Sequence, residues 1–377
     1  MPFLTLRTPD FYPLTLSMPL ENMMFGLYSL RVRWNKVFEN NPVLSQRWIE
    51  PTILPDPELL SAIKALSTGQ VLKQDELVIA VHPNHHYSGD LMKNVGSEDL
   101  DKMEVINFEK SFKWIDSLQY MILHNKDQIN EDWSRNENAN NWFQPAQLEN
   151  TFTAPGFHLS DVTIDDQEGP VILHKGATIL PGARIKGPVV VFPHATVKMG
   201  AKLYPGCTIG RHVVVSGEIK NTIIHEYSSK GHNGYLGDSI LGRWNNFGAG
   251  TTISNVANTF SNVRFKDWQT GHTIEYNTLK RGLITGDFVK LGVLSRTYRG
   301  TAIGSFCSIA TNQPITGNIP TFTWWNEDHR TDYKPKDLRA HCQRQMALRN
   351  CKWTDEWERA LINLIESRFK PQNPNLK

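Results

Sequence analysis

The chain has 377 residues, 40% of them apolar and 21% charged, and its 40 Lys and Arg nearly balance 38 Asp and Glu, leaving a formal charge of +2. A chain of that length exceeds what one hydrophobic core organises, so two or three units are expected. The balanced charge, with no Lys/Arg block, argues against a nucleic-acid or membrane surface and leaves room for local basic pockets.

The opening residues, MPFLTLRTPDFYPLTL, lack the basic segment and apolar run of a secretion signal. No apolar stretch reaches the length of a membrane span, so a cytoplasmic protein is expected. Residues 1–150 carry a mixed α/β pattern. Asp56 as N-cap, Pro57 at the first helical position and Gly69 past the end bracket ELLSAIKALST as a helix, and ELVIAVH (76–82) reads as a strand. A further helix is predicted over about 110–135, with Trp114, Leu118, Met121, Ile122 and Ile129 on its apolar side. The Asn-rich segment 134–151 reads as a linker.

From Gly176 to Gly217 the sequence repeats every six residues: Ile179, Ile185, Val191, Val197, Leu203, Ile209 and Val215. A small or β-branched residue stands two places before each: Ala177, Ala183, Val189, Ala195, Ala201, Cys207 and Val213. Six residues of α-helix fall about 120° short of two whole turns, so the apolar set would smear around a helix. The period reads instead as a parallel β-helix in which the branched residue points into the stack, and stability comes from stacking coils. After Gly217 the ladder is expected to break, resuming weakly at Leu291, Thr297, Ile303, Ile309 and Ile315, with 256–282 an excursion from the stack. Two amphipathic helices, about 336–350 and 355–369, are candidates to cap it. The expected organisation is thus an α/β domain over 1–150, a β-helix over 151–320 and a helical tail over 321–377.

Of the four cysteines, Cys207 and Cys307 fall on repeat positions that want a small residue, and none forms a CxxC pair; core packing is expected for them rather than metal or disulfide. Three His in HPNHHYSGD (82–90) read as an exposed loop, Asp165 and Asp166 as a turn, and Phe322, Trp324 and Trp325 as the seam with the C-terminal helices. The richest chemistry lies after Gly217. His232 is flanked by Gly231 and Gly234, Glu218 and Lys220 lie one coil earlier, and Lys230, Tyr235, Asn246 and Asn255 follow closely. A histidine suits a general base at neutral pH, a carboxylate such as Glu218 would orient it, and Lys220 suits a phosphate.

The run SKGHNGYLGDSILGRWNNFGAGTTISN (229–255) resembles, without a gap, the active-site coil of the acetyltransferase domain of the bifunctional bacterial enzyme that makes UDP-N-acetylglucosamine. The resemblance implies a left-handed parallel β-helix, a homotrimer with sites between subunits, acetyl-CoA as donor and an amino-sugar phosphate as acceptor. It makes His232 the catalytic base supported by Glu218, places Lys220 and Tyr235 on the sugar phosphate and Asn246 on the sugar, and sets Asn255, Val293 and Thr311 at the donor. Three departures accompany it. The family's phosphate-gripping arginine falls at Tyr204, with Lys202 as its substitute; a serine near the thioester falls at Val293; and Arg264 is the nearest candidate for a further basic residue.

The blocks FYPLTLSMPLENMMFGLYSLRVRW (11–34), ILPDPELLSAIKAL (53–66), LITGDFVKLG (283–292) and IPTFTWW (319–325) resemble an alternative branch of that enzyme, a family of sugar nucleotidyltransferases. This implies a nucleotidyltransferase-like N-terminal domain, with Mg²⁺ needed if nucleotidyl transfer occurs. The Gly-rich loop of such enzymes is absent from residues 1–40, and Met18 and Met24 stand where the branch carries arginines. Met cannot replace charge-assisted bonds to phosphate. The expected function is acetyl transfer; the alternatives are nucleotidyl transfer and a non-catalytic trimeric scaffold.

Overall fold

A computed structural model describes residues 3–4, 6–83, 100–136, 143–145 and 148–369. The chain forms two compact units, one mostly of residues 28–121 and one of 122–377 joined by the short segments Tyr12–Met18 and Phe25–Leu27.

In the first unit, Asp56 accepts hydrogen bonds from the Glu58 and Leu59 amides and starts the helix Pro57–Ala65, as its cap sequence predicts. Strand Leu77–His82 lies between Trp48–Ile49 and Gln70–Gln74, and Glu104–Asn107 adds in parallel to the far side of Gln70–Gln74. Trp34, Phe38, Ile49, Ile63, Leu72 and Ile79 form its core. The helix predicted from 110 begins only at Leu118 and runs to Ser134. Extended backbone precedes it: Leu54 donates to Lys113 O, Ile115 donates to Thr52 O, and the Ser117 hydroxyl accepts the Tyr120 amide at the helix start. Trp114 therefore belongs to a bridge with Ile53 and not to a helix face. His82 is tied between Arg47 and the Leu66 carbonyl; His85 and His86 lie outside the described residues.

The second unit is a parallel β-solenoid with three faces. Val171 pairs with Val189 and Val189 with Cys207, eighteen residues per coil, which is three hexads. Ile179, Val197 and Val215 stack inside the second face and Ile185, Leu203 and Ile219 inside the third, all buried. The expected break after Gly217 does not occur. The coils shorten instead, Ile209 pairing with Ile224 fifteen residues on and Ile224 with Leu241 seventeen on. The excursion does occur: Ile240 pairs with Ile284, forty-four residues on, and the extra chain includes the hairpin of Val263–Lys266 and Thr273–Tyr276. Asp166 accepts from the Asn150 amide and the Thr151 hydroxyl, in keeping with the structural reading of Asp165 and Asp166.

At the corner between the first and second faces, His194, His212, Tyr227, Trp244, Phe288, Phe306 and Phe322 all adopt left-handed backbone, with φ from 56° to 64°. Their rings stack coil upon coil at centroid separations of 4.2 to 5.9 Å. Left-handed backbone costs a non-glycine residue about 1–2 kcal/mol. Burying 150–250 Å² of ring returns roughly 4–6 kcal/mol, and each stacked pair adds about 0.5–1.5 kcal/mol, so burial outweighs strain. Helices Pro335–Ala347 and Asp355–Phe369 cover Phe322 in the last coil and reach back along this corner to Trp244, through Leu338, Cys342, Met346, Trp357 and Leu361.

The segment Tyr12–Met18 is locked to the coils. The Ser17 hydroxyl donates to Asp287, whose carboxylate is gripped by Arg243 at 2.8 Å, and Arg243 also donates to the Ser17 carbonyl. Asp287 is fully buried, and its two oxygens are satisfied by the Arg243 guanidinium and amide and by the Ser17 hydroxyl.

Phe288→Ala, in the covered part of the ladder, is expected to cost about 3–5 kcal/mol in urea unfolding, because it opens a cavity that neighbouring rings cannot fill. His194→Gly, at the exposed end where the left-handed strain is released, should stay within about 0.5 kcal/mol of the parent.

Candidate active site

Parallel registration builds one face of the site directly. Lys202 pairs with Glu218 and Glu218 with Tyr235, so three consecutive coils of the third face present an ammonium, a carboxylate and a phenol in one column. Lys220 follows Glu218 by two residues in the same strand and so points to the same side. Its Nζ lies 5.8 Å from the ring centre of Tyr204. The aromatic face holds the lysine by a cation–π contact in place of adding a second charge.

Tyr235 lies back over Gly237. A Cβ at Gly237 would come within 2.2 Å of the phenol oxygen, so glycine there makes room for the hydroxyl. That oxygen accepts from Asn255 Nδ2 at 3.0 Å, and the same amide donates to Asp238 at 2.5 Å. The other Asp238 oxygen accepts from Asn221. Burial first, and Asp238 second, push the Tyr235 pKa up to about 12, so the phenol remains neutral and can donate its proton to an anion.

His232 lies on the corner Gly231–Gly234 leading into Tyr235, and its ring is exposed. The corner needs glycine at Gly234, where φ is +125° and a Cβ would meet the Thr251 carbonyl at 2.1 Å. Beneath the corner is a residue whose position the sequence did not reveal. Lys230 stands on an inward rung, in register with Val215, and is fully buried. Its ammonium donates to the backbone carbonyls of His232 at 2.6 Å and Asn233 at 3.2 Å, anchoring the corner from inside the solenoid. Burial lowers its pKa to about 8.

The other expected site residues fall elsewhere. Glu218 makes no hydrogen bond to the His232 ring, because the ring projects from the corner three residues before the position that pairs with Glu218. Asn255, expected at the donor, is engaged with Tyr235 and Asp238. Asn246 is on the second face, in register with Ser229 and Lys290, and not in the Lys202 column. Arg264 is in the excursion hairpin, in an exposed pair with Glu275 at 3.4 Å. Val293 is 69% exposed on the corner that follows Gly292, whereas Thr311 is buried and its hydroxyl accepts the Gln313 amide.

In the first unit Glu50 is buried, held by Thr52, and desolvation pushes its pKa up to about 7. Met18, in the segment Tyr12–Met18 that belongs to the second unit, is buried. Among the described residues no three His, Cys, Asp or Glu side chains are grouped to hold a metal ion, and no helix is long and apolar enough to cross a membrane.

A family profile described as sugar nucleotidyl transferase matches residues 40–140. The chain is 40% identical over 157 residues to the bifunctional protein GlmU of Methanococcus maripaludis, a match covering 40% of this chain and 36% of that protein. It is also 35% identical over 144 residues to a bifunctional sugar-1-phosphate nucleotidylyltransferase/acetyltransferase of Sulfurisphaera tokodaii, covering 38% of this chain and 35% of that one. The match thus spans about a third of the length of these curated relatives. Among solved structures, the Arabidopsis UDP-N-acetylglucosamine acyltransferase aligns at a TM-score of 0.26 and 16% identity over 60% of this chain and 85% of that chain.

The Lys230 ammonium gives a pH test. Its folded pKa of about 8 lies below the ordinary lysine value of 10.5, so between those limits the unfolded chain binds more protons and stability rises with pH. Lys230→Met is expected to lose that rise, about 3 kcal/mol between pH 8 and 10.5 relative to the parent, in denaturant titrations across the window.

Proposed function

We propose that this chain is an acyltransferase that carries the acetyl group of acetyl-CoA to the amine of an amino-sugar 1-phosphate. The observation that supports this reading is the gathering of Lys202, Glu218, Lys220 and Tyr235 on adjacent coils of one face, next to the glycine corner that carries His232. A purely structural coil has no use for an exposed histidine on a corner braced by a buried lysine.

In this reading the Lys220 ammonium and the neutral Tyr235 phenol bind the sugar phosphate, and Lys202 adds a second cation at the rim. The His232 imidazole takes a proton from the attacking amine as nitrogen bonds to the thioester carbonyl carbon. The carbonyl π electrons move to oxygen, then return and expel CoA as thiolate, which takes the proton from the imidazolium. Glu218 contributes negative potential that favours the imidazolium, acting through space. Exposed Val293 and Leu294 offer an apolar edge to the pantetheine arm of acetyl-CoA. Asn246, on the second face, would contact sugar from a neighbouring copy in a homotrimer.

Nucleotidyl transfer by the first unit is the second reading, favoured by the family match over 40–140. Buried Met18 weighs against it, since an apolar side chain turned into the core holds no polyphosphate.

The test is release of CoA from acetyl-CoA, followed with a thiol reagent, against a panel of amino-sugar 1-phosphates. His232→Ala is expected to lower turnover by about 10²–10⁴-fold. Undiminished turnover in that variant would overturn the mechanism, and pyrophosphate release from UTP or dTTP with Mg²⁺ would support the second reading.

A further inference from the structure

On the second face of the solenoid, Tyr227, Trp244, Asn246, Lys290, Gln345 and Arg349 line a cavity of about 250 Å³ between the coils and the end of the helix Pro335–Ala347. Two buried polar atoms of its lining have no hydrogen-bond partner among the described residues: the Lys290 ammonium and the Gln345 side-chain oxygen. The identity of the second is settled by its own amide, since Gln345 Nε2 donates to the Trp244 carbonyl at 2.8 Å and only the NH₂ end can do so. Lys290 is fixed by strand register with Asn246 and Ser308, and burial lowers its pKa. The ring centre of Phe288 is 5.9 Å from Nζ and supplies no acceptor. Desolvating an ammonium and an amide oxygen without partners is unfavourable, and both side chains line the same partly open cavity. Exposed Arg349 adds a second cation, and the Asn246 amide adds a donor or acceptor.

The shape of the lining also excludes one ligand class. Tyr227 and Trp244 stack on each other with parallel rings 4.2 Å apart, and Trp244 stacks on Phe288 on its other side. The cavity therefore sees the edge of Trp244 and has no free indole face on which a nucleobase could lie.

We propose that this cavity binds a small monophosphate, whose anionic oxygens meet Lys290 and Arg349 and whose P–OH, or a neighbouring hydroxyl, donates to the Gln345 oxygen. The site lies on the second face, apart from the Lys202, Glu218 and Tyr235 column; of its lining only Asn246 is shared with the acceptor contacts proposed above, and neither Lys290 nor Gln345 takes part in acyl transfer. Free phosphate and a sugar monophosphate share this chemistry, and both are probes.

The experiment titrates the full chain with inorganic phosphate, glucose 1-phosphate and sulfate near pH 7, reading thermal midpoint and heat of binding. Sulfate matches phosphate in size and carries at least as much negative charge near pH 7 but has no O–H, so phosphate is expected to bind about tenfold more tightly, the worth of one hydrogen bond. Lys290→Met should abolish the phosphate-dependent rise in midpoint while leaving the ligand-free midpoint at or above that of the parent, because a lone buried cation is removed. Arg349→Gln, on the exposed rim, should weaken phosphate about tenfold with the fold untouched. Tighter binding of glucose 1-phosphate than of phosphate would assign an ester, and the reverse would assign the free ion. A midpoint insensitive to millimolar phosphate, or a response preserved in Lys290→Met, would overturn the proposal.

Discussion

Every coil of the solenoid is hydrogen-bonded, in parallel and in register, to the coils before and after it, and this one constraint governs the rest. A residue's chemistry is set by its column. Inward columns are apolar and of matched size, as the buried run of Val, Ile and Leu on all three faces shows, except where a buried polar group such as Lys230 finds backbone partners. Outward columns are free to vary, and there Lys202, Glu218 and Tyr235 line up without any long-range design beyond equal spacing. A catalytic surface on such a scaffold is inherited from the backbone, and side-chain choice merely decorates it.

Much of the fold was legible because local chemistry announced it. Asp56 and Pro57 mark a helix start through bonds made within three residues, and the hexads from Gly176 to Gly217 repeat because eighteen-residue coils hold three of them. What was missed depended on partners distant in sequence. Residues 110–117 have a helical pattern but give their backbone groups to residues 52–54, which no local signal reveals. After Gly217 the fifteen- and seventeen-residue coils shift the six-residue count, so the inward places of Lys230 and Phe247 and the corner places of Tyr227 and Trp244 fall out of phase with the pattern that would have found them.

The candidate site was legible as a set of residue types but not as a geometry. His232, Lys220 and Tyr235 stood out by their company in a Gly-rich run, and the coils do bring Glu218 and Tyr235 side by side. The sequence did not disclose that Asn255 would be held by Tyr235 and Asp238, or that Asn246 would face another way. Both outcomes follow from which of three faces a residue occupies, and one missing residue in a coil changes that. Shortened coils are where the active-site candidates cluster, consistent with function being placed where the repeat is least regular.

The buried Lys230 has a consequence for how the corner beside it is held. Its ammonium is received by carbonyls only two and three residues ahead, so the interaction closes within one turn of chain and travels with that coil whatever coil is laid against it. The turn that carries His232 is thus a self-fastened clasp: where the histidine is presented depends on one side chain and two peptide groups of its own segment, and not on the identity of the neighbouring rungs.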